Sequence, residues 1–271
     1  MYKAVRSFFD TKGVIEVDTP LLQTFPPIDP FIDIFEVPEG GFLHSSPEYG
    51  MKQLLSQGCG DIYQLSHVFR KGEKGKRHRP EFTMIEWYRV EKPLSFLVEE
   101  TIDLCSLFIG KHPIVTMSYA EAFGGEPNED YCIELLRENG IAIPSSGYED
   151  LAWALVIEPQ FPKDTFVLIR DFSEHHAALA QCTEGKAERF ELYFNGNELA
   201  NGYNELRTSD EYRARLISHN SRREHPLPLP EEFLTSLKQE LPPCVGVAVG
   251  FDRLMMLRHN TKDIADILPI G

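Results

Sequence analysis

The sequence predicts an α+β fold in which an antiparallel β-sheet is flanked by helices, and three observations carry that prediction. Asp61–Phe69 and Glu81–Tyr88 are β-prone runs on either side of a polar loop holding Gly72, Gly75 and Pro80, the pattern of a hairpin. Asn195-Gly196 lies between Arg189–Phe194 and Glu198–Asn201, a strong two-residue turn signal. Apolar residues recur at helical spacing at positions 2, 5, 8 and 9 and again through Leu94–Ile109.

Taken in order, the first helix should stop near Gly13 and be followed by a short strand, Val14–Val17. Residues 25–41 are rich in Pro and Gly and read as a loop with one short strand, Phe31–Val37. Ser45-Ser46-Pro47-Glu48 opens a helix, with Ser46 as cap, Pro47 in the first turn and Met51, Leu54 and Leu55 on the apolar face. Leu94–Ile109 should bury Leu97, Ile102, Leu104, Leu107 and Phe108. Residues 121–150 hold eight Asp/Glu against Arg137 and read as surface helix and loops. Phe166–Arg170 is a strand, and Val245–Gly250 is another that runs into a helix at Leu254–Leu257. No repeat or linker divides the chain, so one domain over 1–271 is the simplest organisation.

Chemistry concentrates in the two hairpins and the last strand. Side chains alternate across a strand, so Phe82, Met84, Glu86 and Tyr88 share a face that is too polar for a plain core. The loop before them carries six Lys/Arg (70, 71, 74, 76, 77, 79) and His78 against Glu73, although the chain as a whole has 27 basic and 42 acidic residues and a net charge of −15. A basic loop on an acidic protein marks an anion site or, alternatively, a solvated surface. In the second hairpin an Asn195-Gly196 turn sets Glu191 opposite Ala200, with Glu198 diagonal on the same face. These carboxylates are either solvated or held together by a hard divalent cation such as Mg²⁺. A break at Gly202 would turn Asn201 and Glu205 into a pocket. Gly246, Ala248 and Gly250 leave one strand face bare, for a flat ligand or for a close strand crossing, and Arg253 follows at the joint, in reach of a phosphate.

Composition narrows the class of protein. Cysteines 59, 105, 132, 182 and 244 are dispersed without a C-x-x-C pair, which indicates reduced thiols and a cytoplasmic setting. No apolar run approaches the roughly 18–20 residues of a membrane span, and the first residues lack a signal-peptide core. The acidic balance disfavours stable nucleic-acid binding.

These blocks together resemble the catalytic domain of class II aminoacyl-tRNA synthetases, and within them the lysyl enzymes. Gly13–Pro20 is similar to motif 1, Phe69-Arg70 with Glu81–Glu86 to motif 2, and Gly246–Arg253 to motif 3; Ser46-Pro47-Glu48 and Asn201–Glu205 are similar to lysine-type blocks. The resemblance implies a class II-type antiparallel sheet, ATP and Mg²⁺ as cofactors, and a homodimer through motif 1. It implies that Arg70 holds the α-phosphate and the substrate carboxylate, that His78 and Arg253 serve the outer phosphates, and that Phe82 and Gly250 line the ATP site. Glu191 and Glu198 would hold the metal, Glu48 and Glu86 an amino group near the reacting end, Glu205 and Tyr88 an ε-ammonium, and Asn201 the carboxylate.

Motif 1 begins almost at residue 1, so no N-terminal anticodon-binding domain is expected, and Ala200 stands where lysyl enzymes have Gly, a change that would reshape the amino-acid pocket. Both features resemble the elongation factor P β-lysine ligases, in which activated (R)-β-lysine passes to a lysine of elongation factor P. The expected activity is therefore activation of (R)-β-lysine or lysine as an adenylate and transfer to elongation factor P. The alternatives are charging of tRNA, or a non-catalytic regulatory paralogue. One departure is local: Arg70-Lys71-Gly72 stands where the families have Arg-Asn-Glu, so Glu73 would have to supply the adenine contact from a shifted backbone.

Overall fold

The structure, a computed structural model, describes residues 1–237 and 240–268. The chain begins with α1 (Tyr2–Asp10), which buries Val5 and Phe9, and a turn through Gly13 at φ +68° leads into β1 (Ile15–Glu16). Next come β2 (Leu22–Gln23), β3 (Phe35–Glu36) and β4 (Phe42–Leu43), a small sheet in the order β2-β4-β3. The strand expected over 31–37 is thus confined to two residues. Pro26, Pro27 and Pro30 remove backbone donors upstream, and the segment is held instead by Arg223, whose guanidinium donates to the carbonyls of Asp29 and Ile32.

After α2 (Glu48–Ser56), the hairpin of β5 (Ile62–Phe69) and β6 (Glu81–Val90) forms as its pattern predicts. Then follow α3 (Leu94–Ile109), β7 (Ile114–Ser118), α4 (Tyr119–Phe123), α5 (Glu129–Glu138) and α6 (Tyr148–Ala152), which runs into a π turn. Strands β8 (Phe166–Ser173), β9 (Cys182–Thr183), β10 (Lys186–Phe194) and β11 (Asn197–Asn204) precede α7 (Ser209–Ser221) and α8 (Glu231–Ser236). Strand β12 (Cys244–Gly250) and α9 (Phe251–His259) complete the fold.

The main sheet runs β1-β5-β6-β12-β11-β10-β8-β7, with β9 paired to β10. Its central pairs are antiparallel, as expected, and the outer pairs β1–β5 and β7–β8 are parallel. One face packs on α1, α3 and α9 through Phe9, Leu97, Leu104, Phe108 and Leu254. Leu107, expected in that core, is 40% exposed, because it falls off the stripe formed by Leu97, Thr101, Leu104, Cys105 and Phe108.

The opposite face is covered in two patches. Helices α2, α7 and α8 pack over one end through Met51, Tyr212, Leu216 and Phe233. Helices α4, α5 and α6 cover the other end through Phe123, Leu136 and Ala152, packed with Val167 and Ile169 of β8. Between the patches the central strands β6, β12, β11 and β10 are left open, and there the sheet carries polar side chains instead of a second core. All five cysteines are free thiols, and among the described residues no helix is long and apolar enough to cross a membrane.

Candidate active site

The gap between the two patches is a cleft of about 310 Å³. Alternation along β6 delivers Phe82, Met84, Glu86 and Tyr88 to it while Ile85 and Trp87 enter the core behind. Strand β12 contributes Ala248 and Gly250. Gly246 has a different use: a β-carbon there would run into the Tyr88 ring and the Glu205 carboxylate, so this glycine makes room for two side chains of the protein, not for a flat ligand.

The second hairpin turns at Asn195-Gly196 but pairs differently from the simple register. Glu191 lies opposite Asn201, not Ala200, because a bulge at Leu199 adds a residue to β11. That bulge, and not Gly202, breaks the alternation. It allows Glu198 and Asn201, three residues apart, to face the cleft together. It also turns Ala200 away. Ala200 is 1% exposed, sits between Leu192 and Val249 in the core, and does not line the amino-acid pocket as its sequence position suggested. Gly202 lies on the same core side, pressed against Phe190.

One end of the cleft is cationic. Arg70 stacks over Phe82, its guanidinium carbon 5.2 Å from the ring centre, and its buried Nε has no hydrogen-bond partner among the described residues. Gly72 adopts φ +85°, a backbone conformation that Cβ-bearing residues avoid, and the turn returns Glu73 to within 3.6 Å of Arg70 and into the cleft lining. At the joint of β12 and α9, the Asp252 carboxylate accepts the Thr83 N–H at 2.7 Å and fixes the first turn of α9. Arg253 projects from that turn, donating to the Glu198 carbonyl at 2.7 Å and to Nε2 of His78 at 2.7 Å. Burial and the Arg253 charge hold His78 below the usual histidine range, which suits a neutral ring accepting from arginine.

The loop carrying these groups is tied down. Lys71 N–H bonds to the Asp33 carbonyl and Ile264 N–H to the Lys76 carbonyl, both at 2.8 Å, and Arg77 donates to the Gly196 carbonyl.

The other end is acidic and dry. Glu86 accepts from Ser46 Oγ and from Tyr88 Oη, each at 2.6 Å, and burial pushes its carboxyl up to about 7, with Glu48 adding to the shift. The Tyr88 hydroxyl proton is thus committed to Glu86. Glu205 is pushed up to about 8 by burial, against the opposing pull of Lys52. Lys52 is completely buried, with Nζ 2.5 Å from Glu48 and 2.7 Å from Glu205; burial disfavours its charge, but the two carboxylates outweigh that and hold its pKa well above the ordinary range. Oε1 of Glu205 is buried without a hydrogen-bond partner among the described residues.

Between the two ends Arg189, on the same face as Glu191, bonds to the Glu191 carboxylate and donates through Nε to Asn201 Oδ1 at 3.0 Å. Tyr193 Oη donates to the other Glu191 oxygen at 2.5 Å. Glu158, from the short helical segment after the π turn, lines an adjoining cavity of about 290 Å³ with Glu191 and Glu198. Its carboxyl is pushed up to about 7 by burial and by those two neighbours. Mutual repulsion among neighbouring carboxylates is the condition that a divalent cation relieves, and Glu191 and Glu198 are the residues that would hold Mg²⁺ here. Among the described residues no group of three or more metal-ligating side chains is preassembled.

The structure therefore brings Glu48, Arg70, Glu73, His78, Phe82, Glu86, Tyr88, Glu191, Glu198, Asn201, Glu205, Gly250 and Arg253 to one cleft and leaves Ala200 outside it. Sequence reasoning missed Lys52, Arg189 and Glu158. The signal for Lys52 was a lysine on the apolar stripe of α2, four residues after a glutamate; for Arg189 it was its place two residues before Glu191 on one strand face.

A central antiparallel sheet carrying arginines and carboxylates in one cleft is the arrangement of a class II synthetase. The model of the family "tRNA synthetases class II (D, K and N)" matches residues 1–270, and the chain belongs to that family. Within it the chain is 38% identical to the elongation factor P–(R)-β-lysine ligase of Avibacterium paragallinarum, over 97% of this chain and 90% of that protein. It is 36% identical to the ligase of Haemophilus ducreyi (98% and 90%), and 40% identical to the ligase homologue of Aquifex aeolicus (96% and 93%). Its affiliation within the family is with these ligases.

Proposed function

We propose that this protein is an ATP-dependent ligase that activates (R)-β-lysine as its adenylate and transfers it to a lysine side chain of elongation factor P. The observation that carries the reading is one cleft with an arginine-lined anion end and a buried end where three carboxylates, Glu48, Glu86 and Glu205, gather and one internal cation, Lys52, pairs with two of them. Such a site favours a ligand with two ammonium groups over neutral amino acids, because burying these acids without cations is costly. The relatives' names supply the identity of the diamine and of the acceptor.

In this reading the substrate ammonium groups dock on Glu48 and Glu86 and on Glu205. Its carboxylate meets Arg70 and the side-chain amide of Asn201, whose Oδ1 is already engaged by Arg189 and whose NH₂ is thereby turned outward to donate. The α-phosphate of ATP lies on Arg70 and the outer phosphates on Arg253, which His78 orients, while the nucleobase occupies the region of Phe82 and Glu73. A carboxylate oxygen attacks the α-phosphorus, the bond to the β-phosphate oxygen breaks and pyrophosphate leaves. The acceptor amine then attacks the acyl carbon, AMP departs and the amine loses its proton. The protein contributes placement and positive charge, with no covalent nucleophile required. Mg²⁺ held by Glu191 and Glu198 would neutralise phosphate charge. A homodimer through the motif 1 region is part of the proposal, supported by the exposed Tyr2, Ile15, Leu21 and Leu22 around β1, as is a cytoplasmic location beside the translation machinery.

The test is an acceptor assay. Enzyme, ATP, Mg²⁺ and (R)-β-lysine are incubated with purified elongation factor P and, separately, with bulk tRNA, and both products are weighed by mass spectrometry. A mass increase on elongation factor P of one β-lysyl group is expected. An increase on tRNA alone would overturn the proposal in favour of tRNA charging, and none on either with no pyrophosphate exchange would favour a silent paralogue.

A further inference from the structure

The buried Lys52 has no part in the chemistry above, yet it is the cation on which the acidic end is built. It lies one turn after Glu48 on α2 and does not line the cleft. Its ammonium takes Oε1 of Glu48 and Oε2 of Glu205 and packs near the face of Tyr212, 5.0 Å from the ring centre. One oxygen of each carboxylate is thereby engaged from behind. The remaining oxygen of Glu205 is buried without a hydrogen-bond partner among the described residues, in the room that Gly246 leaves by having no side chain. A buried ammonium serves no solvation purpose in such a place; what it does is fix the rotamers of two acids that would otherwise repel each other.

We propose that Lys52 is a positioning residue that joins the two ammonium subsites of the cleft, holding Glu48 and Glu205 so that each presents an oxygen to a different amino group of the substrate. Selectivity for a diamine then depends on a residue that never touches it. Without Lys52 the two acids are freed from a common anchor, and binding of the second ammonium loses its preset partner. The inference rests on the reading of the cleft as a diamine-activating site.

The test uses Lys52→Met, which keeps length and removes charge, with ATP–pyrophosphate exchange, norleucine as a single-ammonium competitor and thermal melting. The expected result is a rise of about 30-fold in KM for the diamine, kcat and the KM for ATP within about threefold, and a norleucine-to-lysine preference ratio compressed by about tenfold. Lys52→Gln, a neutral donor able to serve one carboxylate, should fall between Met and wild type. A Lys52→Met enzyme with a normal melting point and unchanged KM and preference would overturn the proposal. So would losses in kcat and in both KM values that track only the folded fraction, or failure of both variants to fold, since Lys52 would then be an element of the fold alone. If wild type exchanges pyrophosphate with no diamine at all, it is the functional reading that fails, which separates the two outcomes.

Discussion

At the arginine end of the cleft, proposed to hold phosphates, Arg70 and Arg253 keep 23% and 28% of their side-chain surface exposed; at the carboxylate end, proposed to hold ammonium groups, Lys52 and Glu205 keep 0% and 1%. The contrast follows from what each end would hold under the proposed function. Arginine stays charged at any exposure, so the anion end can remain wet and still be complete without its ligand. The amine end must desolvate its own carboxylates to reward ammonium groups, and the ligand-free protein bears the consequence as raised pKa values at Glu86 and Glu205. Loss of a cation at the first end should therefore strike turnover, whereas changes at the second should strike affinity and its pH dependence.

The largest effect is expected at Arg253, which joins Glu198, His78 and the β12–α9 joint. Arg253→Ala should lower kcat for ATP–pyrophosphate exchange about 10³-fold while the diamine still binds, as calorimetry can check. Equal losses in turnover and in diamine affinity would erase the distinction between the ends. Glu205→Gln is the mirror case. It should raise KM for the diamine about 100-fold and leave the KM for ATP within about twofold.

Proton competition sharpens the contrast further. With Glu86 raised to about 7 and Glu205 to about 8, diamine affinity should fall about 100-fold between pH 8.5 and 6.5, while ATP affinity changes little. The stability sign is the reverse. A carboxyl whose pKa is raised by folding contributes stability that is fully present below its unfolded value and lost as pH rises through 7 to 8. The ligand-free protein should thus melt about 10 °C lower at pH 9 than at pH 6, and saturating diamine should remove that decline; a melting point that climbs with pH would contradict the acidic end as described.

The same contrast explains what could be read from the sequence. The anion end was legible because its residues sit in contiguous blocks, Phe69-Arg70, the basic loop and Gly250–Arg253, whose chemistry is visible in composition. The strand face Phe82, Met84, Glu86 and Tyr88 was equally legible, since a period of two needs no tertiary information. Lys52 was not, because a lysine in a helix reads as solvated unless the two acids above it are known, and one of them is 153 residues away. The bulge at Leu199 was invisible for a related reason. A turn signal fixes where a hairpin closes but not whether each strand spends one residue per rung.

The bulge also yields the smallest expected effect, and the one that most directly tests how the two faces of β11 are assigned. If Ala200 shaped the amino-acid site, Ala200→Gly would alter the preference between (R)-β-lysine and lysine by about tenfold or more, the usual worth of one carbon lining a pocket. With its methyl in the core between Leu192 and Val249, the substitution should instead cost about 1–2 kcal/mol of stability, from a strand glycine and a small void, and lower the melting point by about 3–5 °C. The ratio of kcat/KM for the two amino acids should stay within about twofold of wild type. A shift in that ratio without a loss of stability would mean that β11 turns its other face to the substrate, and with it Asn201 and Glu198 would leave the cleft.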